Sequence, residues 1–325
     1  MAKQQRIHMD FALALCYLGE EEIALALGSL DNALEEGRML GDLPAQIQLN
    51  HLSGLARFAG TQFSHAQENF LAGLEMLYAI NDSVSFSGWD LIIELLTRLG
   101  ALEYELGFFT DSEQFLREAS SLLTARTPED SMSAATIAWN FIQHHRSHGN
   151  LEHALKTAQS AGAIFAEREM PTASGRLQTI VADVALDLAE SFSLEAETDA
   201  RIAYITLARP YAQRGIEQTK SAGDLIGEGL ARLAALRLDR LRGKERNRLA
   251  SLNALERKAR SIGDPALIGR LWTAQADEFA AAGNIEWARN RYYKAQRHLE
   301  EYELMAMARA PLRARLRLEE MNPDM

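Results

Sequence analysis

The sequence predicts an all-α protein, an α-solenoid assembled from repeated pairs of antiparallel helices. Three observations indicate it: apolar residues recur at helical spacing, strand and hairpin signals are nearly absent, and small residues mark a break about every 42 residues. Between Leu91 and Leu106, for example, leucine and isoleucine follow three- and four-residue steps, which is the period of an amphipathic helix. A fixed period of this length is typical of repeat architectures.

Two kinds of break define the repeats. Between repeats, Gly or Asn stands directly before Asp, which suits a left-handed helix end followed by an N-capping side chain. These junctions are Gly41-Asp42, Asn81-Asp82, Gly223-Asp224 and Gly263-Asp264. Proline follows several breaks within a few residues, where the first turn of a helix tolerates it. These prolines are Pro44, Pro128, Pro171 and Pro265.

Within repeats, small residues predict where the two helices of a pair approach each other, since close crossings need small side chains. On the first helices we expect Gly54, Gly100 and Ala276 to face small residues of the second helices. Their expected partners are Ala66, Ser112 and Ala288.

Seven helix-turn-helix repeats follow from these breaks, within one domain over residues 1–325. They span about 5–41, 42–82, 83–127, 128–169, 170–223, 224–263 and 264–302, and a last helix at about 303–320 closes the array. Because a helix pair cannot bury its apolar face alone, successive repeats must stack, and we expect a right-handed superhelix. Pro210 and Pro311 fall inside helical patterns, so a kink or a break is expected at each.

The spacing of small and aromatic residues resembles the tetratricopeptide repeat (TPR), whose pattern is W-x2-L-G-x2-Y…A-x3-F…P. The last repeat matches it best, with Trp272, Ala276 and Phe279 on the first helix and Ala288 and Tyr292 on the second. Repeats one, five and six match weakly. The long repeats with Gly-Asp junctions resemble the TPR region of MalT-like bacterial regulators. The resemblance implies a helical solenoid with a concave groove lined by the first helices.

Composition narrows the function classes. Hydrophobic residues make up 47% of the 325 residues and charged residues 24%, which excludes wholesale disorder. The net charge of −11 argues against direct nucleic-acid binding by the chain as a whole. Charge is uneven, because the first 130 residues hold 20 acidic and 7 basic residues and the last 101 hold 14 and 19. With neither a secretory signal nor a membrane-spanning run in the pattern, we expect a cytoplasmic protein without membrane contact.

No catalytic constellation is found, so we expect no enzymatic activity, no catalytic residues and no cofactor. The phosphate-loop, His-Glu-x-x-His and Gly-x-Ser-x-Gly motifs are missing from the sequence. His144 and His148 are four residues apart and could share a metal ion, but no acidic residue joins them on that face. We therefore expect solvated histidines there and no metal site. Cys16, the one cysteine, is expected to be a buried structural thiol.

Carrying the TPR groove over to this sequence selects a set of inward-facing residues on the first helices. In repeats two to four these are Gln48, His51, Phe58, Glu94, Tyr104, Trp139, Gln143 and Arg146. In repeats six and seven they are Arg232, Asp239, Arg242, Arg270 and Asp277. Aromatic and arginine side chains are frequent binding hot spots, which favours a protein or peptide ligand. The alternative is that Phe58, Tyr104 and Trp139 simply pack between repeats.

A second candidate is a dense basic segment near the end of the sixth repeat's first helix. It consists of Arg237, Arg240, Arg242, Lys244, Arg246 and Arg248. The segment is either a solvated helix end or a docking patch for an acidic partner, which could be the acidic N-terminal part of another copy.

Two functions remain open at this point. The leading hypothesis is a non-enzymatic scaffold or adaptor that binds a protein or peptide in its groove. The alternative is the signal-sensing domain of a bacterial transcription regulator, MalT-like or of the peptide-pheromone type, which would bind a small inducer or a peptide.

Overall fold

The computed structural model describes residues 2–19, 22–80, 88–126, 131–192, 198–244 and 247–321. Every regular element in these ranges is an α-helix, which confirms the predicted all-α class. The chain divides into two compact parts, residues 1–130 and 131–325, here called the N-terminal lobe and the C-terminal lobe. The single continuous repeat domain and the handedness of its superhelix stay predictions.

The N-terminal lobe consists of three stacked helix pairs. Its helices are α1 (Ala2–Gly19), α2 (Ile23–Leu40), α3 (Leu43–Ala59), α4 (Phe63–Ile80), α5 (Trp89–Leu106) and α6 (Phe109–Arg126). Each odd-numbered helix packs on the even-numbered helix that follows, and α2 packs on α3 and α4 on α5. Phe70, Leu95 and Leu99 are fully buried where these helices meet.

The C-terminal lobe continues the same arrangement with longer helices in its second pair. Its helices are α7 (Ser131–Ser147), α8 (Leu151–Glu167), α9 (Pro171–Ser191), α10 (Thr198–Ser221), α11 (Leu225–Leu241), α12 (Arg248–Ile262), α13 (Pro265–Ala281), α14 (Ile285–Glu301) and α15 (Met305–Met321). The first helices also contact one another, α9 with α11, α11 with α13 and α13 with α15. The first helices α9, α11, α13 and α15 therefore form a continuous row in this lobe.

The predicted Gly-Asp junctions are confirmed wherever they fall in the described residues. The side chains of Asp42, Asp224 and Asp264 each accept a hydrogen bond from the backbone N–H three residues further on. Gly41 and Gly263, with φ of 64° and 80°, end the preceding helices in the left-handed conformation. The Asn81-Asp82 junction and Pro128 lie outside the described residues. Capping of this kind fixes where one repeat ends and the next begins.

Glycines allow the helices of a pair to approach closely, as predicted, but the side chain packed against each glycine stands one helical turn beyond the expected small residue. The Ser112 hydroxyl donates a hydrogen bond to the Gly100 carbonyl oxygen, so α5 and α6 cross at the expected place. A Cβ on Gly54 would lie 2.3 Å from the ring of Phe70, which stands one helical turn beyond the expected Ala66. A Cβ on Gly100 would likewise meet Leu116 at 2.5 Å. In both pairs a large side chain of the second helix fills the space that the glycine leaves.

The prediction for Cys16 needs correction. Cys16 is exposed, because it lies on the face of α1 opposite the buried Ile7 and Ala14. Of the two outcomes expected at the internal prolines, a break does not occur, since α10 continues through Pro210 and α15 through Pro311, while a kink stays a prediction. An internal proline removes one backbone hydrogen bond, which costs stability without necessarily ending the helix. In the described part of the chain, no helix is long and apolar enough to cross a membrane.

Glycine-to-alanine substitutions at the close crossing of α3 and α4 and at an exposed site on α2 should change the stability of the fold in opposite directions. Gly54→Ala should destabilise the fold by about 1–2 kcal/mol, because its methyl group overlaps the buried Phe70 ring. Gly28→Ala, on an exposed turn of α2 with no atom within 4 Å of the new Cβ, should stabilise by about 0.5–1 kcal/mol. Urea denaturation followed by circular dichroism measures both, and equal shifts in the two variants would contradict this packing.

Candidate functional site

In the N-terminal lobe, the structure brings together two of the predicted groove residues from successive first helices. His51 Nε2 on α3 lies 3.3 Å from Glu94 Oε1 on α5, and Arg98 Nη2 lies 3.5 Å from the same oxygen. The nearby His51 ring and the charge of Arg98 hold the pKa of Glu94 below its usual range, although burial opposes this. Gln48 is exposed on α3. The α3–α5 face thus carries a small polar cluster open to solvent.

The three aromatic groove candidates pack within their own helix pairs. Phe58 meets Phe63 edge-on at a centroid distance of 5.3 Å, and Tyr104 meets Phe109 at 5.1 Å. Trp139 meets Phe165 at 5.8 Å. Each contact joins the first and second helices of one pair, so much of each ring is used in packing. All three candidates remain half-buried.

In the C-terminal lobe, charged side chains from four successive first helices form a chain of ion pairs, here called the charged row. Its members are Arg146 (α7), Asp183, Asp187 and Glu190 (α9), Arg237 and Arg240 (α11) and Asp277 (α13). Opposite signs alternate from one helix to the next. The row therefore links helix pairs that are far apart in sequence.

Asp187 joins the first two steps of the charged row. Arg146 Nη2 lies 2.7 Å from Asp187 Oδ2, and Arg237 Nη2 lies 2.7 Å from Asp187 Oδ1. Each carboxylate oxygen thus has its own guanidinium partner. Charge-assisted hydrogen bonds of this kind are about twice as strong as neutral ones.

Glu190 and Asp277 extend the charged row to α13. Glu190 accepts hydrogen bonds from Arg237 Nη2 at 2.6 Å and from Arg240 Nη2 at 3.0 Å. Arg240 Nη1 then lies 3.2 Å from Asp277 Oδ2, and the Tyr292 hydroxyl donates to Asp277 Oδ1 at 2.6 Å. The side chain of Tyr292 is buried, so it anchors the α13 end of the row.

The charged row is partly accessible to solvent. The exposed fraction of its side chains runs from 17% for Asp183 to 34% for Asp277. Burial alone would raise the pKa of Asp187 and Glu190, but the neighbouring arginines outweigh it and hold both pKa values below the usual range. Asp183 is different, because burial raises its pKa more than Arg146 and Arg237 lower it. The row therefore exposes both paired and incompletely paired charges to solvent.

The basic segment predicted as a docking patch is largely committed to contacts inside the chain. Arg237 and Arg240 belong to the charged row, Lys244 Nζ lies 2.7 Å from Asp239, and Arg248 Nε lies 2.9 Å from Glu278. Arg242 is exposed, and no ion pair to it occurs within the described ranges. Arg246 lies outside the described residues. Use of this segment by an acidic partner stays a prediction.

Sequence reasoning found Arg146 and Asp277 as groove residues but missed Asp183, Asp187 and Glu190 on α9. The signal was present, since Asp187 follows Arg146 by 41 residues, one repeat period. The fifth repeat was a weak TPR match, so its inward face had no register to carry over. Arg232 proves to pair with Glu228 at 2.7 Å on its own helix. Gln143 is half-buried on α7, one helical turn before Arg146.

The histidine cluster is not a uniformly solvated set, which corrects the prediction for His144. His144 is buried, whereas His148 and His153 are exposed and His145 is half-buried. His148 Nδ1 lies 2.8 Å from the backbone oxygen of His144, and the rings of His145 and His153 meet edge-on at 4.3 Å. Over the described ranges, no three His, Cys, Asp or Glu side chains are placed to hold a metal ion.

Comparison with solved structures finds similar helical arrangements over nearly the whole chain. A Rap protein complexed with Competence and Sporulation Factor matches with a TM-score of 0.57 at 12% identity, covering 97% of this chain and 75% of that one. The Rap conjugation gene regulator of plasmid pLS20, in complex with the Phr* peptide, matches with a TM-score of 0.59 at 13% identity, covering 97% and 76%. A tetratricopeptide repeat protein from Parabacteroides merdae matches with a TM-score of 0.48 at 14% identity, covering 94% and 99%.

The chain has a TPR-like helical-repeat fold. This confirms the resemblance stated from the sequence, while the similarity to MalT-like regulators stays a prediction. Identities of 12% and 13% to the two Rap structures establish the fold and nothing finer. No protein-family model matches the chain, and no curated protein matches it either.

The charged row predicts a pH-dependent loss of stability for Arg237→Gln. The variant should be less stable by about 1–3 kcal/mol at neutral pH, because three carboxylates of α9 lose their shared partner in a partly buried place. Because folding lowers the pKa values of Asp187 and Glu190, their ionised carboxylates stabilise the fold at neutral pH. This stabilisation is lost as the pH falls through their folded-state pKa values. The gap between wild type and variant should therefore narrow below about pH 4.

Thermal melting between neutral pH and about pH 2.5 measures this gap. Arg242→Gln is the matched control, since Arg242 is an exposed residue of the same segment and should change stability by no more than about 0.5 kcal/mol. A gap that stays constant with pH would show that Arg237 does not act through these carboxylates.

Proposed function

We propose that this protein is a non-enzymatic TPR-like scaffold that binds a peptide or a protein segment along the first helices of its C-terminal lobe. The observation that carries the proposal is the charged row, in which residues of α7, α9, α11 and α13 line one partly exposed surface. If the row served stability alone, apolar side chains of similar size could replace it with little loss, because the desolvation cost of buried charges can exceed the attraction between them. Binding of a peptide would give these charges a function besides stability.

The geometry of a helical row suits an extended peptide. Packed helices lie about 8–10 Å apart, and an extended chain rises about 3.3 Å per residue. About every third residue of such a peptide would therefore meet a new first helix. Alternating charges on successive helices would then fix the register and direction of the ligand.

We place two of the sequence-selected residues at the start of this surface. Trp139 is a half-buried ring on α7, and Arg146 lies on the same helix two turns further along and begins the charged row. An aromatic anchor next to an arginine is a frequent hot-spot combination. In the N-terminal lobe, the polar cluster of His51 and Glu94, with the edges of Phe58 and Tyr104, is a secondary contact surface in this proposal.

The second candidate is the signal-sensing domain of a bacterial transcription regulator. The two Rap structures that resemble this chain contain, by their descriptions, Competence and Sporulation Factor and the Phr* peptide, and one of them is a conjugation gene regulator. These likenesses support a peptide over a small inducer as the ligand of such a sensor. With one cysteine in the chain and therefore no intrachain disulfide, we expect the protein to act in the cytoplasm.

A peptide selected against the protein from a random display library tests this proposal. Truncating a true hot spot, by Trp139→Ala or Arg146→Ala, should cost at least about 2 kcal/mol, or roughly thirtyfold in affinity by titration calorimetry. The competing site is the basic segment, for which Arg242→Glu is the probe. Wild-type affinity for both α7 variants, with a salt-sensitive loss for Arg242→Glu, would move the site to that segment.

A further inference from the structure

The surface of the charged row extends two helical turns towards the N-terminal ends of α9 and α13. On α9, Asp183 stands seven residues before Glu190, and on α13, Arg270 stands seven residues before Asp277. Seven residues make about two turns of an α-helix, so the members of each pair lie on one face of their helix, about 10 Å apart. Asp183 and Arg270 therefore face the same surface as Glu190 and Asp277.

An arginine of α11 joins α9 to α13 at the level of Glu190 and Asp277. Arg240 Nη2 lies 3.0 Å from Glu190 Oε1, and Arg240 Nη1 lies 3.2 Å from Asp277 Oδ2. Seven residues earlier on α11, the corresponding position is Leu233, which is half-buried and packs against the apolar core of α12 and α13. Since leucine carries no charge, this second level lacks the bridge that Arg240 provides at the first.

The charges of Asp183 and Arg270 consequently have no close partner. Asp183 Oδ1 lies 3.9 Å from Arg237 Nη1, and its carboxylate accepts no hydrogen bond in the part of the chain that the structure describes. Arg270 is half-buried, and within the described ranges it forms neither an ion pair nor a hydrogen bond. The charge of Arg270 still acts on Asp183, since it counters the rise that burial causes in the pKa of Asp183. The two groups are thus close enough to interact and too far apart to pair.

This level, here called the open level, consists of Asp183, Leu233 and Arg270 on three successive first helices. A guanidinium with free N–H donors is suited to bind both oxygens of a carboxylate. Because Arg270 is half-buried, water screens an ion pair there less than it screens one on an exposed surface. The negative charge of Asp183 repels a second carboxylate, so a ligand's carboxylate is favoured on the α13 side of the open level and disfavoured on the α9 side.

We propose that Arg270 recognises a carboxylate of the peptide ligand, while the carbon chain next to that carboxylate packs on Leu233. This inference rests on the proposed function, because it assigns one specificity contact within the same peptide site. An Asp or Glu side chain and the C-terminus of a peptide present the same pair of oxygens to a guanidinium. The shared chemistry is the carboxylate, and the experiment distinguishes its two sources.

A double-mutant cycle between the protein and a synthetic peptide selected on the wild type tests this assignment. Each acidic side chain of the peptide is replaced by its amide in turn, and in a separate peptide the C-terminus is amidated. One of these changes should weaken binding to the wild type about tenfold or more in titration calorimetry. The same change should have little effect on binding to Arg270→Gln, because this variant has already lost the partner. The change that behaves in this way identifies the source of the carboxylate.

Arg257→Gln is the matched control. Arg257 is an exposed arginine on the second helix α12, and its replacement changes the net charge by the same amount. This variant should bind every peptide as the wild type does. Circular dichroism checks that both variants keep the helical content of the wild type.

Several results would overturn the assignment of Arg270. One is an equal loss of affinity in the wild type and Arg270→Gln when the carboxylate is removed. Another is a wild type that tolerates removal of every carboxylate, and a third is an Arg270→Gln variant that binds all the peptides equally weakly. In each case Trp139→Ala and Arg146→Ala should still weaken binding if the proposed function is right. Wild-type affinity of those two variants, or a selection that yields no peptide, would contradict the proposed function itself and this inference with it.

Discussion

The fold depends on the close crossing of two helices within each pair. At Gly54 and Gly100 a missing side chain lets a large residue of the partner helix, Phe70 or Leu116, lie against the backbone. This contact fixes the rotation of both helices about their axes. Every other side chain of the pair is then assigned to the crossing, to the neighbouring pair or to solvent. The aspartate caps at Asp42, Asp224 and Asp264 fix the same register along the chain.

The charged row is a consequence of that register. When successive pairs stack in one register, residues one repeat apart come to lie side by side, as Arg146 and Asp187 do. Their charges cannot all be solvated in the space between first helices, so each must find a partner on the next helix. The guanidinium of Arg237 meets this requirement for several carboxylates of α9 at once because its donors form a planar fork. A surface whose charges are paired but still reachable by water can exchange some of those pairs for a ligand's.

Much of the fold and part of the site could be predicted from the sequence. Helix ends at Gly-Asp junctions and close helix crossings at glycines depend on local physical chemistry. The sequence pattern therefore predicts both without knowledge of the tertiary structure. Whether Cys16 is buried depends instead on which helices pack against α1, and no local sequence pattern determines this. The sequence pattern predicted only part of the charged row. Arg146 and Asp277 lie on repeats whose inward-facing positions could be assigned from the pattern, whereas Asp187 lies on the weakly matching fifth repeat. The partners of Arg237 could not be read from a basic run, because a run of arginines looks the same whether solvent or carboxylates surround it.

Hydrogen exchange with and without a display-selected peptide tests the central claim most directly. If the ligand lies along the first helices, amide protection should rise in α7, α9, α11 and α13 and remain unchanged in the second helices α8, α12 and α14. Protection confined to the second helices, or to the segment between Arg242 and Arg248, would contradict the account, because the charged row would then be a structural element that no ligand contacts.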